Sequence, residues 1–475
     1  MNKHMEMTYG VSAKPKFPQM IVFALQQLLA IMAATIVVPV IINGNSAENV
    51  AKGIGVASQM SSSAALFGAG VGTIVYLLLT KFKSPVFLGS SFAFLGSMTA
   101  AFAGAASMQL GYFGLILGAV LAGLVYVVIA VVVKFCGTDW INKIMPAVVI
   151  GPTVAIIGLS LAGNAVGDLV SNSATKVAAE GSNYVALCCG LVTLAVTIIC
   201  SVYGKKFLKM IPFVIGILAG YAVATIFTVC GVKVIDFSLF KNIKWYPDFT
   251  FIEGFKFKEF AYLDGGSIWS YIGTIALAYI PVAFVVFAEH IADHKNLSSI
   301  IGTDLLEDPG LHRTLLGDGI GSMAGAFFGG CPNTTYGESI GCVAISGNAS
   351  VITILCTSIM AIVISFIGPF STFLATIPSC VMGGVCIALY GFIAVSGLKM
   401  IQNVDLNKKH NLYVVSTILI IGVGGLSLSF GKVSITTVAC ALILGILVNL
   451  LCAPYKKKYE ARKAKEAEEK TEDAE

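Results

Sequence analysis

Cys331-Pro-Asn-Thr-Thr-Tyr-Gly-Glu-Ser-Ile-Gly341 decides the fold. It lies between apolar, glycine-rich stretches, yet it carries Pro332 near its start and a run of polar and β-prone residues. It reads as extended chain that turns into a helix at Tyr336-Gly337, with Glu338 at the join. Extended backbone at membrane depth is tolerated only where it is buried in protein or lines a cavity. A carboxylate there is costly unless paired, hydrated or protonated. Ser84-Pro-Val-Phe-Leu-Gly-Ser-Ser-Phe-Ala-Phe-Leu-Gly96 repeats the plan: a proline, β-prone residues, a Gly-Ser-Ser turn, then a small-residue helix from about Ala93.

The bulk composition places both stretches in a membrane. The 475 residues are 57% hydrophobic and 12% charged, against about 25% charged in soluble domains, and mean hydropathy is +0.88. Spanning helices need about 20 apolar residues. Twelve such segments are expected at 19–42, 62–80, 111–133, 144–163, 183–203, 211–231, 268–290, 314–330, 350–369, 379–398, 411–429 and 434–453. Adding 85–104 and 331–347 gives fourteen crossings. The two broken segments are then the third and the tenth, each third in its own half. Interrupted segments at matching positions in two halves point to the binding site of a secondary transporter. Seven crossings per half is odd, so the halves are inverted. The expected fold is an all-α polytopic membrane protein, a 7+7 inverted repeat with short extended stretches in the third and tenth segments.

The charges fit that count. With the N-terminus inside, the short inner loops hold Lys81, Lys83, Lys134, Lys143, Lys205, Lys206, Lys209, Lys399, Lys408 and Lys409, and the tail begins Lys456-Lys-Lys458. Short outer loops hold Lys52, Lys176 and Lys432. This is the positive-inside pattern, with both termini cytoplasmic. The polar stretch 232–267 is an extracellular linker between the halves. The stretch 293–313 is expected inside as a short surface helix, and 454–475 as a solvated cytoplasmic tail, helical or disordered. The first apolar run, from near Phe17, continues into a full span without a cleavage site, so no signal peptide is expected. A net charge of +5 without an aromatic-basic patch excludes a nucleic-acid partner. Cysteines such as Cys188, Cys189, Cys200, Cys356, Cys380, Cys386 and Cys440 sit in apolar spans without C-x-x-C pairing, and the five histidines are scattered. No metal, cofactor or required disulfide is expected. No Ser-His-Asp or metal set stands at spanning depth, which argues against an enzyme.

Glu289 closes the apolar run Pro281-Val-Ala-Phe-Val-Val-Phe-Ala-Glu289. Either Glu289 and Glu338 are helix-end carboxylates at the water interface, or they form a polar site inside the membrane. A helix starting at Tyr336-Gly337 leaves backbone N–H groups free. Beside Glu338 they make a surface of donors and acceptors, suited to a flat ligand with alternating N–H and C=O groups. Burial favours the protonated form of a carboxylate, which proton carriage requires. Asp293 lies one helical turn after Glu289, where two charged carboxylates repel; its other reading is a helix-end charge. His290 reads as a polar residue at the membrane edge. The turn at Ser90-Ser91-Phe92 mirrors that at Glu338, unless it serves helix packing. Tyr390, in mid-span, is either a site residue or an interhelical hydrogen-bonding group.

From about 18 to 453 the chain resembles the nucleobase–ascorbate transporter family, and within it the uracil-transporting branch. The resemblance rests on Leu88-Gly-Ser-Ser-Phe-Ala-Phe94, Ala288-Glu-His-Ile291, Asp304-Leu-Leu with Asp308-Pro-Gly-Leu-His-Arg313, and Pro332-Asn-Thr-Thr-Tyr-Gly-Glu338. In the signature that follows, Glu338, Gly341 and Gly347 match, while Ser339 stands for Asn and Ser346 for Thr. The resemblance implies a core domain from 18–134 and 268–370, and a gate domain from 140–231 and 378–453. It implies import of uracil or a related nucleobase by proton symport across the bacterial cytoplasmic membrane, elevator motion, and a homodimer formed through the gate. Glu289 and Glu338 would accept from the base N–H groups, and the amides of Phe92 and Gly337 would donate to its carbonyls. Ser91 belongs to the same turn, Tyr336 would line the pocket, and Tyr390 would face it from the gate. Two departures stand out: Asp293 occupies a position that is His in the uracil branch, and Gln26-Gln27 replaces a common Gln-His. Proton coupling would rest on Glu289 and Asp293, with Glu338 alongside. A purine such as xanthine or urate, coupling to sodium, and an anion carrier or channel of the same inverted-repeat plan stay open as alternatives.

Overall fold

A computed structural model describes residues 7–170, 182–205, 208–209, 211–241, 243, 245–256, 268–402, 404–430 and 433–472. Lys176, Lys206, Lys432, the end of the linker (257–267) and residues 473–475 lie outside the described residues.

Helices dominate because the sequence offers long apolar runs whose backbone groups must be satisfied within each segment. Among the described residues, nine helices are long and apolar enough to cross a membrane. They run from Phe17–Ala51 to Thr437–Tyr455, and a tenth span results if Val351–Ser365 and Gly368–Thr376, bent by 83°, count as one. The other four expected segments take other forms. Residues 85–104 and 331–347 are each a three-residue strand followed by a short helix, Leu95–Ala103 and Gly337–Ser346. Leu311–Gly329 is helical but glycine-rich and includes Arg313 and Asp318. The helix in 411–429 covers Lys409–Val423 only.

Three sequence expectations need correction. Residues 293–301 are no separate surface helix: they continue the Glu289 helix, which runs unbroken over Ile268–Ile301. The turn at Leu306–Gly310 then leads into Leu311–Gly329. The end of segment 411–429 forms a two-stranded hairpin, Leu428–Phe430 against Val433–Ile435, so the chain is not purely helical outside the two broken segments. The helix after Ser91 begins at Leu95, two residues later than expected, because Phe92–Phe94 form a turn closed by Leu95 N–H donating to the Phe92 carbonyl at 3.1 Å.

The two strands pair with each other. β1 (Leu88–Ser90) and β2 (Asn333–Thr335) run antiparallel, with Leu88 opposite Thr335, Gly89 opposite Thr334 and Ser90 opposite Asn333. Outer backbone groups of β1 and of the residue before it are met by side chains. Thr73 Oγ1 accepts from Leu88 N–H at 2.9 Å and donates to its carbonyl at 3.2 Å. Ser339 Oγ accepts from Phe87 N–H at 3.3 Å. Ser91 N–H donates to the Pro332 carbonyl at 2.9 Å. The outer edge of β1 at Leu88 is thus satisfied within the protein, the condition for extended chain at this depth.

Helix packing falls into two groups. In one, Ser62–Leu79 packs on Leu311–Gly329 and Val351–Ser365, and Met108–Cys136 packs on Leu311–Gly329 and Ile268–Ile301. In the other, Ala147–Ser160 packs on Ser379–Ile401 and Lys409–Val423, and Ser182–Tyr203 packs on Pro212–Val229. In the first group, Ser62–Leu79 and Leu311–Gly329 approach closely. A Cβ on Gly68 would stand 2.4 Å from the Gly325 carbonyl oxygen, and one on Gly72 2.6 Å from that of Gly321. Glycine at both positions lets the two backbones touch.

Candidate functional site

The strand pair sits at the wall of a cavity of about 780 Å³, within the size range of small-molecule sites. Both packing groups contribute to it: Ala30, Phe92, Glu289, Asp293 and Glu338 from one, Val154, Phe213 and Phe392 from the other. Tyr336, Gly337 and Thr335 also line it.

Each predicted site residue is placed by its element. Glu289 and Asp293 share one face of the continuous helix Ile268–Ile301, half-buried and turned to the cavity. Asp293 accepts a hydrogen bond from Thr335 Oγ1 at 2.6 Å, which ties the Glu289 helix to β2. Glu338 lies in the first turn of Gly337–Ser346, capped at Tyr336. There the leading N–H groups have no partner within the helix, and the positive end of the helix dipole favours a carboxylate. Gly337 is exposed to the cavity, and a Cβ there would meet nothing within 4 Å, so the backbone is open to an approaching ligand. Tyr336 is buried, and its hydroxyl donates to the Ser90 carbonyl at 2.9 Å. Its ring crosses Gly89 so closely that a Cβ on Gly89 would stand 2.3 Å away; only glycine lets this ring lie across β1. Thr35 Oγ1 donates to the Tyr336 hydroxyl at 3.4 Å.

The cavity does not gather all of the predicted residues. Phe92 is on its wall, but Ser91 and Tyr390 are not among the residues that line it. Ser91 is fully buried behind the turn. Tyr390, on Ser379–Ile401, meets Phe92 edge-on with ring centroids 5.5 Å apart. It backs the Phe92 ring from the opposite packing group.

Two of the positions that depart from the resembled pattern, Gln27 and Ser339, touch each other. Gln27 Nε2 donates to Ser339 Oγ, and also to the Ser339 carbonyl at 3.3 Å. Gln27 therefore fastens helix Phe17–Ala51 to the Glu338 helix, and Ser339 Oγ passes the link on to β1 at Phe87.

Sequence reasoning missed a polar cluster behind the site. His290 is fully buried in the protein, with Nδ1 2.7 Å from Asp318 Oδ2 and Nε2 3.0 Å from Thr314 Oγ1. His294, one turn on, places Nε2 2.7 Å from the Tyr76 hydroxyl, which donates to Ser84 Oγ at 2.7 Å. The Glu289 helix thus shows carboxylates to the cavity on one face and histidines to Leu311–Gly329 and Ser62–Leu79 on another. Asp318 had a signal in the sequence: an acid inside the Gly-rich run Leu315-Leu-Gly-Asp-Gly-Ile-Gly321, the same anomaly that singled out Glu289.

The arrangement offers carboxylate acceptors, helix-terminal N–H donors and an aromatic face around one small cavity. It can hold a flat, neutral, hydrogen-bonding molecule.

Comparison with known proteins agrees in outline. The sequence pattern of a group described as Permease family matches residues 18–429. The chain is 37% identical over 446 residues to the uracil permease of Bacillus caldolyticus, covering 93% of this chain and 94% of that protein. It is 37% identical over 452 residues to the uracil permease of Bacillus subtilis (strain 168), with coverage of 93% and 94%. To the uracil permease of Escherichia coli (strain K12) it is 35% identical over 446 residues, with 93% of each covered. Among solved structures, the transmembrane domain of the cyanobacterial bicarbonate transporter BicA aligns with a TM-score of 0.58 at 15% identity, over 93% of this chain and 100% of that one. The murine anion transporter Slc26a9, in its inward-facing state, aligns with a TM-score of 0.61 at 13% identity, over 94% and 69%. At such identities these two report the fold alone, that of a multi-pass membrane protein.

Proposed function

Because the chain belongs to the Permease family, and is a membrane transporter and not an enzyme, we propose that it imports uracil across the bacterial cytoplasmic membrane by proton symport. The observation that carries this reading is the cavity shared by Glu289, Glu338, the Gly337 backbone and the Phe92 ring. Uracil alternates N–H and C=O groups around a flat ring. Its N–H groups donate to Glu289 and Glu338, and its carbonyls accept from the amides of Gly337 and Phe92. Two bonds to carboxylates at about 1.5–3 kcal/mol each and two neutral ones at about 1 kcal/mol each give about 5–8 kcal/mol, which with ring packing on Phe92 comes to the scale of micromolar affinity, about −8 kcal/mol. The names of the relatives favour uracil over a purine, and acids in the cavity disfavour an anion.

In this reading the chain makes fourteen crossings as a 7+7 inverted repeat, with both termini in the cytoplasm. Residues 18–134 and 268–370 form a core that carries the site, and 140–231 and 378–453 form a gate through which two copies pair. The two packing groups support that division, and a cavity lined by both is compatible with elevator motion of the core against the gate. Proton coupling uses Glu289 and Asp293, with Glu338 at the base.

The test is uptake of labelled uracil into proteoliposomes at neutral and acidic outside pH, with and without a proton ionophore. Acid-stimulated, ionophore-sensitive accumulation supports the reading. Folded protein that takes up xanthine or urate and not uracil overturns the substrate, and uptake that follows a sodium gradient overturns the coupling ion.

Asp293→Asn is expected to flatten the pH dependence of uptake while uracil affinity at acidic pH changes by less than about threefold. Glu289 and Asp293, one turn apart, favour sharing a proton over carrying two charges, and an amide at 293 ends that competition. It also keeps an acceptor for the Thr335 hydroxyl. An unaltered pH profile removes Asp293 from the proton path.

A further inference from the structure

Three lysines share the cavity wall with the carboxylates: Lys295, Lys399 and Lys209. They come from three elements. Lys295 is on the Glu289 helix, Lys399 is in the last turn of Ser379–Ile401, and Lys209 stands just before Pro212–Val229. All three are exposed. Among the described residues none of them forms an ion pair with an acid. Positive charge at the inner ends of spanning helices is general. It accounts for each lysine singly; the structure adds that three of them, from separate elements, line one cavity. Lysine is a mobile point charge suited to phosphate.

Along the Glu289 helix the lining acids Glu289 and Asp293 come first and Lys295 follows. From Glu289 to Lys295 is six residues, about 9 Å of rise. That is close to the reach from a pyrimidine ring to the phosphate of its nucleoside 5′-monophosphate. Asn296 also lines the cavity beside Lys295 and offers an amide to a ribose hydroxyl.

We infer that the cavity holds a second subsite, at its lysine end, and that it takes a pyrimidine nucleoside 5′-monophosphate, with the base toward Glu338 and the phosphate on the lysines. The inference rests on the nucleobase reading above. In such a nucleotide the ribose occupies the ring N1, so one ring N–H is left for the carboxylates, and the phosphate contacts offset the lost bond. The ligand also spans the two packing groups, with the Glu289 helix on one side and Lys399 and Lys209 on the other. A molecule that bridges both groups resists their relative movement. The nucleotide therefore acts from the cytoplasmic side as an inhibitor rather than as cargo, and uptake slows when the cell already holds the phosphorylated pyrimidine.

The experiment is competition against labelled uracil bound to the purified full-length protein. The competitors are uridine 5′-monophosphate, uridine, adenosine 5′-monophosphate and inorganic phosphate. Uridine monophosphate is expected to compete about tenfold or more better than uridine, the effect of charge-assisted phosphate contacts, and the advantage is expected to shrink with added salt. Lys295→Gln with Lys399→Gln is expected to abolish the advantage while uracil affinity stays within about twofold, and the Arg variants at both positions are expected to retain it. The inference is overturned if uridine monophosphate is no better than uridine, if the advantage survives in the Gln variant, or if adenosine monophosphate or inorganic phosphate competes equally well. Those outcomes leave uracil binding intact. Loss of uracil binding itself in folded wild-type protein overturns the nucleobase reading first, and this inference with it.

Discussion

Glu338→Gln is expected to lower uracil affinity by about 100-fold or more and to abolish uptake. Glu338 stands in the first turn of Gly337–Ser346, on the cavity wall, next to the Gly337 backbone. A carboxylate accepts on both oxygens, whereas the amide keeps one acceptor and presents N–H groups where the base also presents N–H. A charge-assisted hydrogen bond contributes about 1.5–3 kcal/mol, and a donor facing a donor adds the cost of an unmet polar group. Every 1.4 kcal/mol is about tenfold in affinity, so two such losses reach the stated effect. The change is nearly isosteric, so the fold should persist, with an unshifted elution profile and thermal midpoint. Titration of the purified variant with uracil decides the matter: affinity within a few-fold of wild type would show that Glu338 does not hold the base.

Gly68→Leu is expected to yield little or no folded protein in the membrane, and Gly68→Ala to lower the thermal midpoint clearly. A Cβ at residue 68 would lie 2.4 Å from the Gly325 carbonyl oxygen and 3.2 Å from the Gly329 nitrogen. Those atoms are helix backbone and cannot rotate aside, so the two helices must separate. Overpacking costs about 1–3 kcal/mol and sometimes more, and here the separation would also disturb neighbours. Asn333 Nδ2 donates to the Gly68 carbonyl at 3.1 Å, so β2 and the Glu338 helix behind it would shift with the pair. Gly44→Ala provides the contrast: it lies within helix Phe17–Ala51, and a Cβ there meets nothing within 4 Å. Alanine is better than glycine in a helix interior, so that variant should be neutral or slightly more stable. Equal thermal midpoints for Gly68→Leu and wild type would mean that the helices do not approach as closely as described.

Much of the site was readable because the membrane makes polar residues expensive. Glu289, Glu338 and the Pro-to-Gly stretches stood out as breaks in apolar sequence, and each lies at or beside the cavity. Asp318 obeys the same rule, as an acid inside the glycine-rich run Leu315–Gly321. The burial of His290 was not legible, because its partners Asp318 and Thr314 lie 28 and 24 residues further along the chain.

Sequence alone determined that the chain crosses a membrane repeatedly, that two segments break, and where acids interrupt the apolar runs. These follow from local composition set against one uniform solvent, the hydrocarbon core. Only the tertiary structure decided that β1 pairs with β2, that Gln27 reaches Ser339, and that three lysines share a cavity with three acids. A three-residue strand carries too little local preference to name its partner, and a side chain's neighbour depends on how distant helices rotate when they pack. The glycines of Ser62–Leu79 and Leu311–Gly329 permitted the close approach of those two backbones, but only the packed fold pairs helices so distant in sequence.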